Sequence, residues 1–417
     1  MADDTQPGDT DSDDVGAGDT GTRADDSGRA PDWQLETRAI RAGRTFGGPS
    51  LAPVLFPSTT YEVPAIDDHL EMAGTPRVTH YYSRFGSPTV RDFEEAVAAL
   101  EAAEAALAFS SGMAAVTTTV LGLCSTGDHV VAQRHTFSAT STFFGAHCQR
   151  LGIDVTFVDG TDPQQFVAAV RPGRTQLVFV ETPANPALTL TDIEVVAAIP
   201  GPFTVVDSTL ATPVVQQPLA LGADLVLHAA TKGIAGHNDA LLGVIAGGRD
   251  LVDAVWGWHL MHGAQASPFD AWNGLRGIRT LAARVHQQSA TAQQLAEHLA
   301  GHPGIDVVNY PGLDSHPQRD LAKRQMASGG TVLSIEVAGG TEPAKRFCEA
   351  CRVARIAISL GGPETLLSHA ATIATLMSPT ERAELGITEG LVRISVGLEH
   401  PEDLIADFDQ ALRAATG

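Results

Sequence analysis

The sequence predicts an α/β fold in which a large, mostly parallel sheet domain is followed by a smaller C-terminal α/β domain. Short apolar runs alternate with amphipathic helical segments from about residue 88, as they do where helical crossovers join parallel strands. Long helical text at 271–300 then gives way to a second group of short strands. The 417 residues suffice for two or three domains of about 100–200 residues.

The predicted helices and strands follow in a regular order. Helical periodicity covers 90–104 and 113–123, and an apolar run at 105–109 separates these two helices. Buried parallel strands read as continuous apolar runs. Further runs of this kind predict strands of the large sheet at 130–132, 155–158, 177–181, 203–207 and 225–227. Strands of the smaller domain are predicted at 306–309, 331–337 and 391–396.

The N-terminal segment differs in composition from the rest of the chain. Residues 1–32 contain ten Asp, two Arg and almost no large apolar side chain, so burial cannot offset the entropy of ordering them. We expect a disordered acidic tail there. The whole chain carries a formal net charge of −22. Because an acidic surface repels phosphate backbones, we expect no nucleic-acid partner.

Cysteine usage and hydropathy indicate a cytoplasmic protein. Cys124, Cys148, Cys348 and Cys351 are too few and too scattered for a disulfide framework. Cys348 and Cys351 have C-x-x-C spacing, but no second pair accompanies them, so we expect no metal site. No apolar run reaches the roughly 18 residues of a membrane span.

Reactive groups are predicted at strand ends, where open α/β sheets bind ligands. Lys232 follows an apolar strand, and a lysine enclosed there loses solvation, which frees its amine for Schiff-base chemistry. Gly112 and Met113 open a helix after a small-residue turn, and the N–H groups of a helix start suit a phosphate. Asp207 ends another apolar strand.

Each segment alone also fits a simpler interpretation: a solvated lysine, a plain tight turn or a capping Asp. Together, in this order, the three segments supply what a pyridoxal cofactor needs. These are an anchor for the phosphate, a carboxylate partner for the pyridinium and an amine that traps the carbonyl.

Seven ordered motifs carry a resemblance to a known family. They are Glu36-Thr37-Arg38-Ala39-Ile40, Tyr82-Ser83-Arg84 with Ser87-Pro88-Thr89, Ser111-Gly112-Met113, Glu181-Thr182-Pro183-Ala184-Asn185-Pro186, Val206-Asp207, Ala230-Thr231-Lys232 and Arg393-Ile394-Ser395-Val396-Gly397. From about Leu35 to the C-terminus the sequence resembles the Cys/Met-metabolism pyridoxal-phosphate enzymes. That family includes cystathionine γ-synthase, cystathionine lyases, methionine γ-lyase and O-acyl-homoserine sulfhydrylases.

The resemblance implies an aspartate-aminotransferase-like fold, called fold type I, and a homotetramer built from dimers that share active sites. It also implies an N-terminal arm at 33–85, a large pyridoxal-phosphate-binding domain at 86–275 and a small domain at 276–417. The substrate would be a small amino acid, and the cofactor pyridoxal 5′-phosphate.

The resemblance further implies a role for each site residue. Lys232 would be catalytic and would bind the cofactor covalently. Gly112, Met113 and Thr231 would bind its phosphate, with Tyr82 and Arg84 reaching in from the neighbouring subunit. Asp207 would pair with the pyridine nitrogen, and Phe137 would stack on the ring. Asn185 would contact the ring oxygen or the substrate, and Ser359 and Arg393 would fix the substrate carboxylate.

Four positions depart from the family pattern. Phe137 stands where the cystathionine enzymes carry a tyrosine, so the ring remains and its hydroxyl is lost. Ile358 stands where cystathionine-handling members tend to have a glutamate for the distal ammonium group. Ala229 replaces a usual serine, which removes one phosphate hydrogen bond, and Gly233 replaces an aromatic residue, which we expect to loosen that loop.

These departures favour γ-replacement on an O-acyl-homoserine by a sulfur nucleophile, as in a sulfhydrylase or a cystathionine γ-synthase. Elimination by a methionine γ-lyase or a cystathionine lyase is the alternative hypothesis. A non-catalytic pyridoxal-binding protein is a third hypothesis, and the retained Lys232 argues against it.

Overall fold

The computed structural model of the chain describes residues 33–374, 378, 382 and 386–416. The acidic segment 1–32, predicted to be disordered, lies outside the described residues. In the part that the structure describes, no helix is both long enough and apolar enough to cross a membrane.

Helices and strands alternate through most of the described chain. The strands are β1 (Ala105–Phe109), β2 (His129–Gln133), β3 (Asp154–Val158), β4 (Thr175–Glu181), β5 (Phe203–Asp207), β6 (Leu225–His228), β7 (Gly243–Gly247), β8 (Ile305–Asn309), β9 (Val332–Val337), β10 (Arg355–Ile356), β11 (Leu366–His369) and β12 (Leu391–Ser395). The helices are α1 (Leu35–Arg41), α2 (Asp68–Gly74), α3 (Pro88–Glu101), α4 (Gly112–Leu123), α5 (Ser138–Thr142), α6 (Cys148–Arg150), α7 (Pro163–Ala169), α8 (Ile193–Ala197), α9 (Thr212–Val215), α10 (Arg249–His262), α11 (Pro268–Ile278), α12 (Leu281–Ala300), α13 (Arg319–Gln325), α14 (Thr341–Ala350), α15 (Ala370–Ile373) and α16 (Pro401–Thr416).

Seven strands form the large sheet, in the order β1-β7-β6-β5-β4-β2-β3. The strands β2 to β6 run parallel to one another, and β7 runs antiparallel to both of its neighbours. This confirms the predicted large, mostly parallel sheet. Because the carboxyl ends of parallel strands share one edge, Glu181, Asp207 and His228 end β4, β5 and β6 side by side.

Helices cover both faces of the large sheet. On one face α3 and α11 pack around Phe93 and Leu275, and on the other α4 and α10 pack around Val120 and Val252. All four side chains are buried. The strands between these helices are therefore apolar on both faces, which is why their positions could be predicted from continuous apolar runs.

Strand β7 was not predicted, because Gly243-Val-Ile-Ala-Gly247 is short and bounded by glycines. A Cβ atom on Gly243 would lie 2.1 Å from the carbonyl oxygen of Ser111. The glycine therefore allows the turn before α4 to lie directly against the sheet. The helical text predicted at 271–300 also forms two helices, α11 and α12.

The second sheet has five strands, in the order β10-β11-β12-β9-β8, and belongs to a smaller C-terminal unit. Helices α14 and α16 pack on it, and the rings of Phe347 and Phe408 meet edge to face at 5.5 Å between centroids. This confirms the predicted smaller α/β domain. The boundary predicted between residues 275 and 276 falls within α11, and that exact division stays a prediction.

Candidate active site

The turn at the start of α4 presents backbone N–H groups to the C-terminal edge of the large sheet. Ser111 caps the helix, its side chain accepting a 3.1 Å hydrogen bond from the N–H of Ala114. A Cβ atom on Gly112 would lie 2.6 Å from the Cβ of Ala229. Only a glycine fits between this turn and the one before Lys232, so the N–H groups of Gly112 and Met113 remain open to an anion.

Asp207 is a buried carboxylate at the end of β5. Its Oδ1 accepts hydrogen bonds from the N–H and the hydroxyl of Thr209, at 3.0 and 2.5 Å. Burial raises the pKa of Asp207, and the bonds from Thr209 oppose that rise. The same Thr209 hydroxyl accepts a 2.8 Å bond from the N–H of Ala229, so it joins Asp207 to the turn that carries Lys232. Sequence analysis did not identify Thr209.

The amine of Lys232 lies between the two domains. Its Nζ donates a 2.9 Å hydrogen bond to the hydroxyl of Ser359. Burial lowers the pKa of Lys232, and the positive charge of Arg393 lowers it further. A lowered pKa increases the fraction of neutral amine, which is the form that attacks a carbonyl.

Thr231, next to this lysine, is bonded to backbone. Its hydroxyl donates to the carbonyl of Leu242 at 3.1 Å and accepts from the N–H of Leu242 at 2.8 Å. The predicted bond from this hydroxyl to a phosphate would replace its bond to the carbonyl, and it stays a prediction.

The loop after Lys232 is not loosened by Gly233, which corrects the sequence-based expectation. The guanidinium of buried Arg284 donates to the carbonyls of Gly233, Ile234 and Gly277, at 2.9, 3.2 and 2.8 Å. A Cβ atom on Gly233 would lie 2.7 Å from the Cγ2 of Thr212, so an aromatic side chain has no room in this packing.

Arg393 and Asn185 form a half-buried polar site beside Lys232. The guanidinium of Arg393 donates to the Oδ1 of Asn185 at 3.0 Å and to the carbonyl of Ser359 at 2.7 Å. Its buried Nε has no hydrogen-bond partner among the described residues. A free N–H on a cation next to an amine is a donor set that suits a carboxylate.

Phe137 and Asn185 are held by one carboxylate that sequence analysis did not single out as a site residue. The two oxygens of buried Glu181 accept from the N–H of Phe137 at 2.7 Å and from the N–H of Asn185 at 3.2 Å. Glu181 is the register partner of Asp207 on the neighbouring strand. The sequence held a signal for it, because Glu181 and Asp207 both end predicted strands of one parallel sheet.

Tyr82 and Arg84 lie apart from this group within the chain. Both side chains are exposed, and the guanidinium carbon of Arg84 lies 5.4 Å from the centre of the Tyr82 ring. No hydrogen bond or ion pair of the described residues joins either side chain to Gly112, Asp207 or Lys232. Their predicted contact with a neighbouring subunit's cofactor stays a prediction.

The two residues predicted to affect specificity lie at the surface of the site. Phe137 is 47% exposed, and Ile358, next to Ser359, is 79% exposed. Among the described residues, no three His, Cys, Asp or Glu side chains come together in a group that could hold a metal ion.

The residues present fit pyridoxal phosphate. Gly112 leaves an open helix start for a phosphate, and Lys232 offers an amine whose pKa is lowered. Asp207 is a buried carboxylate whose described hydrogen-bond partner is neutral Thr209, so a pyridinium would supply the opposite charge that it lacks.

Comparisons with known proteins agree with this fit. The family model of the Cys/Met metabolism PLP-dependent enzymes matches residues 36–413. The chain is 42% identical to the O-succinylhomoserine sulfhydrylase of Pseudomonas aeruginosa over 386 residues, which cover 91% of this chain and 95% of that protein. It is 40% identical to the L-methionine gamma-lyase of Treponema denticola over 371 residues, 87% of this chain and 92% of the relative.

A solved structure is similar over the same region. The crystal structure of cystathionine gamma synthase from Xanthomonas oryzae pv. oryzae, in complex with aminoacrylate and cysteine, matches with a TM-score of 0.86 and 34% sequence identity. The match covers 92% of this chain and 98% of that one. The predicted fold type I architecture is thereby confirmed.

Proposed function

This chain belongs to the Cys/Met metabolism PLP-dependent enzymes and is a trans-sulfuration enzyme, and we propose that it catalyses γ-replacement on an O-acyl-homoserine with a sulfur nucleophile. The observation that carries this choice is Phe137, which is half exposed at the site and shares Glu181 with Asn185. Its ring has no hydroxyl to protonate a departing thiolate, whereas a carboxylate leaves without such help.

The cofactor-binding roles follow the geometry of the sheet edge. Gly112 and Met113 bind the phosphate through backbone N–H groups at the start of α4. Asp207 pairs with the protonated pyridine nitrogen, Phe137 lies against the ring, and Lys232 forms the covalent link through Nζ. When bound, pyridoxal phosphate withdraws electrons from the α- and β-carbons of the substrate, so that the γ-substituent can leave.

The proton transfers belong to Lys232. Its amine removes the α-proton of the substrate, and the bond to Ser359 keeps Nζ on the side of the substrate site. Arg393 and Asn185 bind the substrate carboxylate, for which the Nε of Arg393 offers a free donor. The overall exchange breaks the Cγ–O bond, forms a Cγ–S bond and releases a carboxylic acid, so it needs no oxidant or reductant.

Ile358 supports a small sulfur nucleophile. It stands beside Ser359 at the site surface and offers no carboxylate to a distal ammonium group. Leaving an ammonium group without a partner in a site costs several kcal/mol. Sulfide or a simple thiol is therefore preferred over cysteine, whose product would carry that second ammonium group.

Methionine γ-lyase is the second candidate function. The relatives of that name from Treponema denticola and Pseudomonas putida are each 40% identical to this chain, which favours elimination as an alternative at the same site. The two functions share all roles of Lys232, Asp207 and Arg393 and differ in what happens after the γ-substituent leaves.

The proposed assembly is a cytoplasmic homotetramer built from dimers. Support comes from the exposed pair Tyr82 and Arg84, which lie outside their own chain's site. Each would complete the phosphate site of a neighbouring subunit, where the guanidinium of Arg84 offers two parallel donors.

Product analysis tests the proposed function. The holoenzyme is incubated with O-acetyl- or O-succinyl-homoserine, with and without sulfide, methanethiol or cysteine, and in parallel with methionine or cystathionine alone. We expect consumption of a homoserine ester with sulfide or methanethiol to be fastest. Faster cleavage of methionine or cystathionine than of any homoserine ester would overturn the proposal and favour the lyase.

A further inference from the structure

Glu181 lies at the centre of the site and carries no role in the mechanism above. It is 3% exposed, and its two carboxylate oxygens bind backbone N–H groups of two different loops. One loop carries Phe137 and the other carries Asn185. A single side chain therefore sets the separation between the residue proposed to face the cofactor ring and a residue proposed to bind the substrate.

Glu181 also lies beside Asp207. The two residues are direct register partners at the ends of the parallel strands β4 and β5, and both are buried. Register partners on adjacent strands project their side chains to the same face of a sheet, with backbones about 4.8 Å apart. Burial raises the pKa of Glu181, and the neighbouring Asp207 raises it further.

The surroundings of this pair contain little positive charge. His228 ends the next strand, β6, and favours the charged form of Asp207. The Nε2 of His228 is in turn 2.6 Å from a carboxylate oxygen of buried Glu101, so Glu101 competes with Asp207 for any charge on this imidazole. The partners of Glu181 itself are the two backbone N–H groups. Two adjacent buried carboxyl groups under these conditions resist ionising together.

We propose that Glu181 is a positioning residue whose carboxylate fixes the loops of Phe137 and Asn185, and whose charge sets the pH at which Asp207 becomes available to the cofactor. The proposal rests on the cofactor-binding roles assigned above to Phe137, Asn185 and Asp207. It does not depend on which amino acid or which sulfur nucleophile the enzyme uses.

Two substitutions separate the position of Glu181 from its charge. Glu181→Gln keeps the length of the side chain, removes the charge and leaves one of the two backbone N–H groups without an acceptor. Glu181→Asp keeps the charge and is one methylene too short to reach both loops. Asp407→Asn is the matched control, because buried Asp407 likewise accepts backbone N–H bonds, from Arg352, Val353 and Ala354 in the small domain.

The first readout is the affinity of the apoenzyme for pyridoxal phosphate, titrated by absorbance or tryptophan fluorescence from pH 5 to 9. In the unaltered protein, affinity should fall as pH decreases, because Asp207 becomes protonated and can no longer pair with the pyridinium. Glu181→Gln removes the adjacent like charge, which lowers the pKa of Asp207. The acid-side loss of affinity should then move about one unit to lower pH, while Glu181→Asp and Asp407→Asn leave its midpoint in place.

The second readout is the steady-state kinetics of whichever amino acid the unaltered enzyme consumes. Both Glu181 variants should raise KM about tenfold, because the loop of Asn185 is released, whereas Asp407→Asn should not. In the background of Asn185→Ala, the same Glu181 variants should raise KM much less, since the side chain they position is gone.

The outcomes are distinct. An acid-side midpoint that is the same in Glu181→Gln and in the unaltered protein overturns the role of the charge. Fully additive effects of Glu181→Asp and Asn185→Ala on KM overturn the positioning role. If Glu181→Gln does not fold, Glu181→Asp still tests the positioning role, and Asp207→Asn should abolish the acid-side change if that change belongs to this pair. Because the cofactor titrations contain no substrate, they are unaffected if the proposed substrate is wrong.

Discussion

Ser359 accepts a 2.9 Å hydrogen bond from the amine of Lys232, a residue 127 positions earlier in the chain. Lys232 follows the last parallel strand of the large sheet, and Ser359 belongs to the small domain. The reactive amine is therefore placed by both domains together, and Arg393, bonded to the carbonyl of Ser359, brings the predicted carboxylate site to the same point.

Replacing Lys232 by alanine should abolish both the covalent cofactor and turnover, because the amine that binds the cofactor and moves the α-proton is lost. Absorbance spectra of the purified protein and product assays measure the two effects. Lys345→Ala is the control, since Lys345 is exposed and pairs with Glu342 in the small domain. Near-normal turnover in Lys232→Ala would contradict the assigned role.

Thr209→Val should weaken cofactor binding by roughly ten- to a hundredfold, the value of a hydrogen bond to a charged group of about 1.5–3 kcal/mol. The Thr209 hydroxyl donates to Asp207 at 2.5 Å, and losing this bond raises the pKa of Asp207 further. Titration of the apoenzyme with pyridoxal phosphate gives the affinity.

Thr341→Val is the control for this change, because its hydroxyl donates to Glu389 at 2.6 Å far from the site. Equal losses of cofactor affinity in the Thr209 and Thr341 variants would show that Thr209 acts only through general stability.

Gly112→Ala should lower cofactor affinity at least tenfold, because the new Cβ would lie 2.6 Å from the Cβ of Ala229 and must displace the turn that binds the phosphate. Gly257→Ala is the matched control. No heavy atom lies within 4 Å of a Cβ at Gly257, which lies inside α10, so this change should stabilise the helix by up to about 1 kcal/mol. Affinity that survives Gly112→Ala unchanged would rule out the assigned phosphate site.

Mixing inactive Arg84→Ala with inactive Lys232→Ala should restore part of the activity under conditions of subunit exchange. In a mixed dimer, one site would combine intact Lys232 with intact Arg84 from the neighbouring subunit. The control mixes Lys232→Ala with the double variant Arg84→Ala/Lys232→Ala, which can form no complete site. If exchange is demonstrated by labelled subunits and no activity returns, both residues serve the site of their own chain.

Phe137→Tyr should raise the rate of elimination relative to replacement, because the added hydroxyl can give a proton to a departing thiolate. Phe137 is 47% exposed, so the hydroxyl can be accommodated. The ratio of keto-acid release from methionine to product formation from a homoserine ester measures the change. A ratio identical to that of the unaltered enzyme would show that the ring hydroxyl does not decide the reaction type.

The sequence predicted those parts of the fold that local patterns determine. Buried parallel strands are apolar on both faces, and this allowed β1 to β6 to be placed to within two residues. Strand β7 escaped because its glycines serve a close approach to Ser111, which only the tertiary structure reveals. The reactive pair Lys232 and Asp207 was recognised because each follows or ends an apolar strand.

The supporting residues of the site were harder to predict. Thr209 acts by bonding both Asp207 and Ala229, and Glu181 by bonding two loops, so their roles arise from contacts between segments distant in sequence. The hydroxyl of Thr231 is an instructive case. A motif suggested a phosphate contact, whereas the folded chain bonds it to the backbone of Leu242.

The tight packing of Gly112 against Ala229 and of Gly243 against Ser111 separates two kinds of evolutionary freedom. The cofactor pocket is built from backbone in contact with backbone or with methyl groups, so almost any larger residue there is lethal to the scaffold. Phe137 and Ile358, in contrast, border solvent and can vary without disturbing that pocket. One ancestral framework can therefore diversify into synthases and lyases through a few surface positions, and directed evolution of new thiol acceptors would need libraries at only these sites.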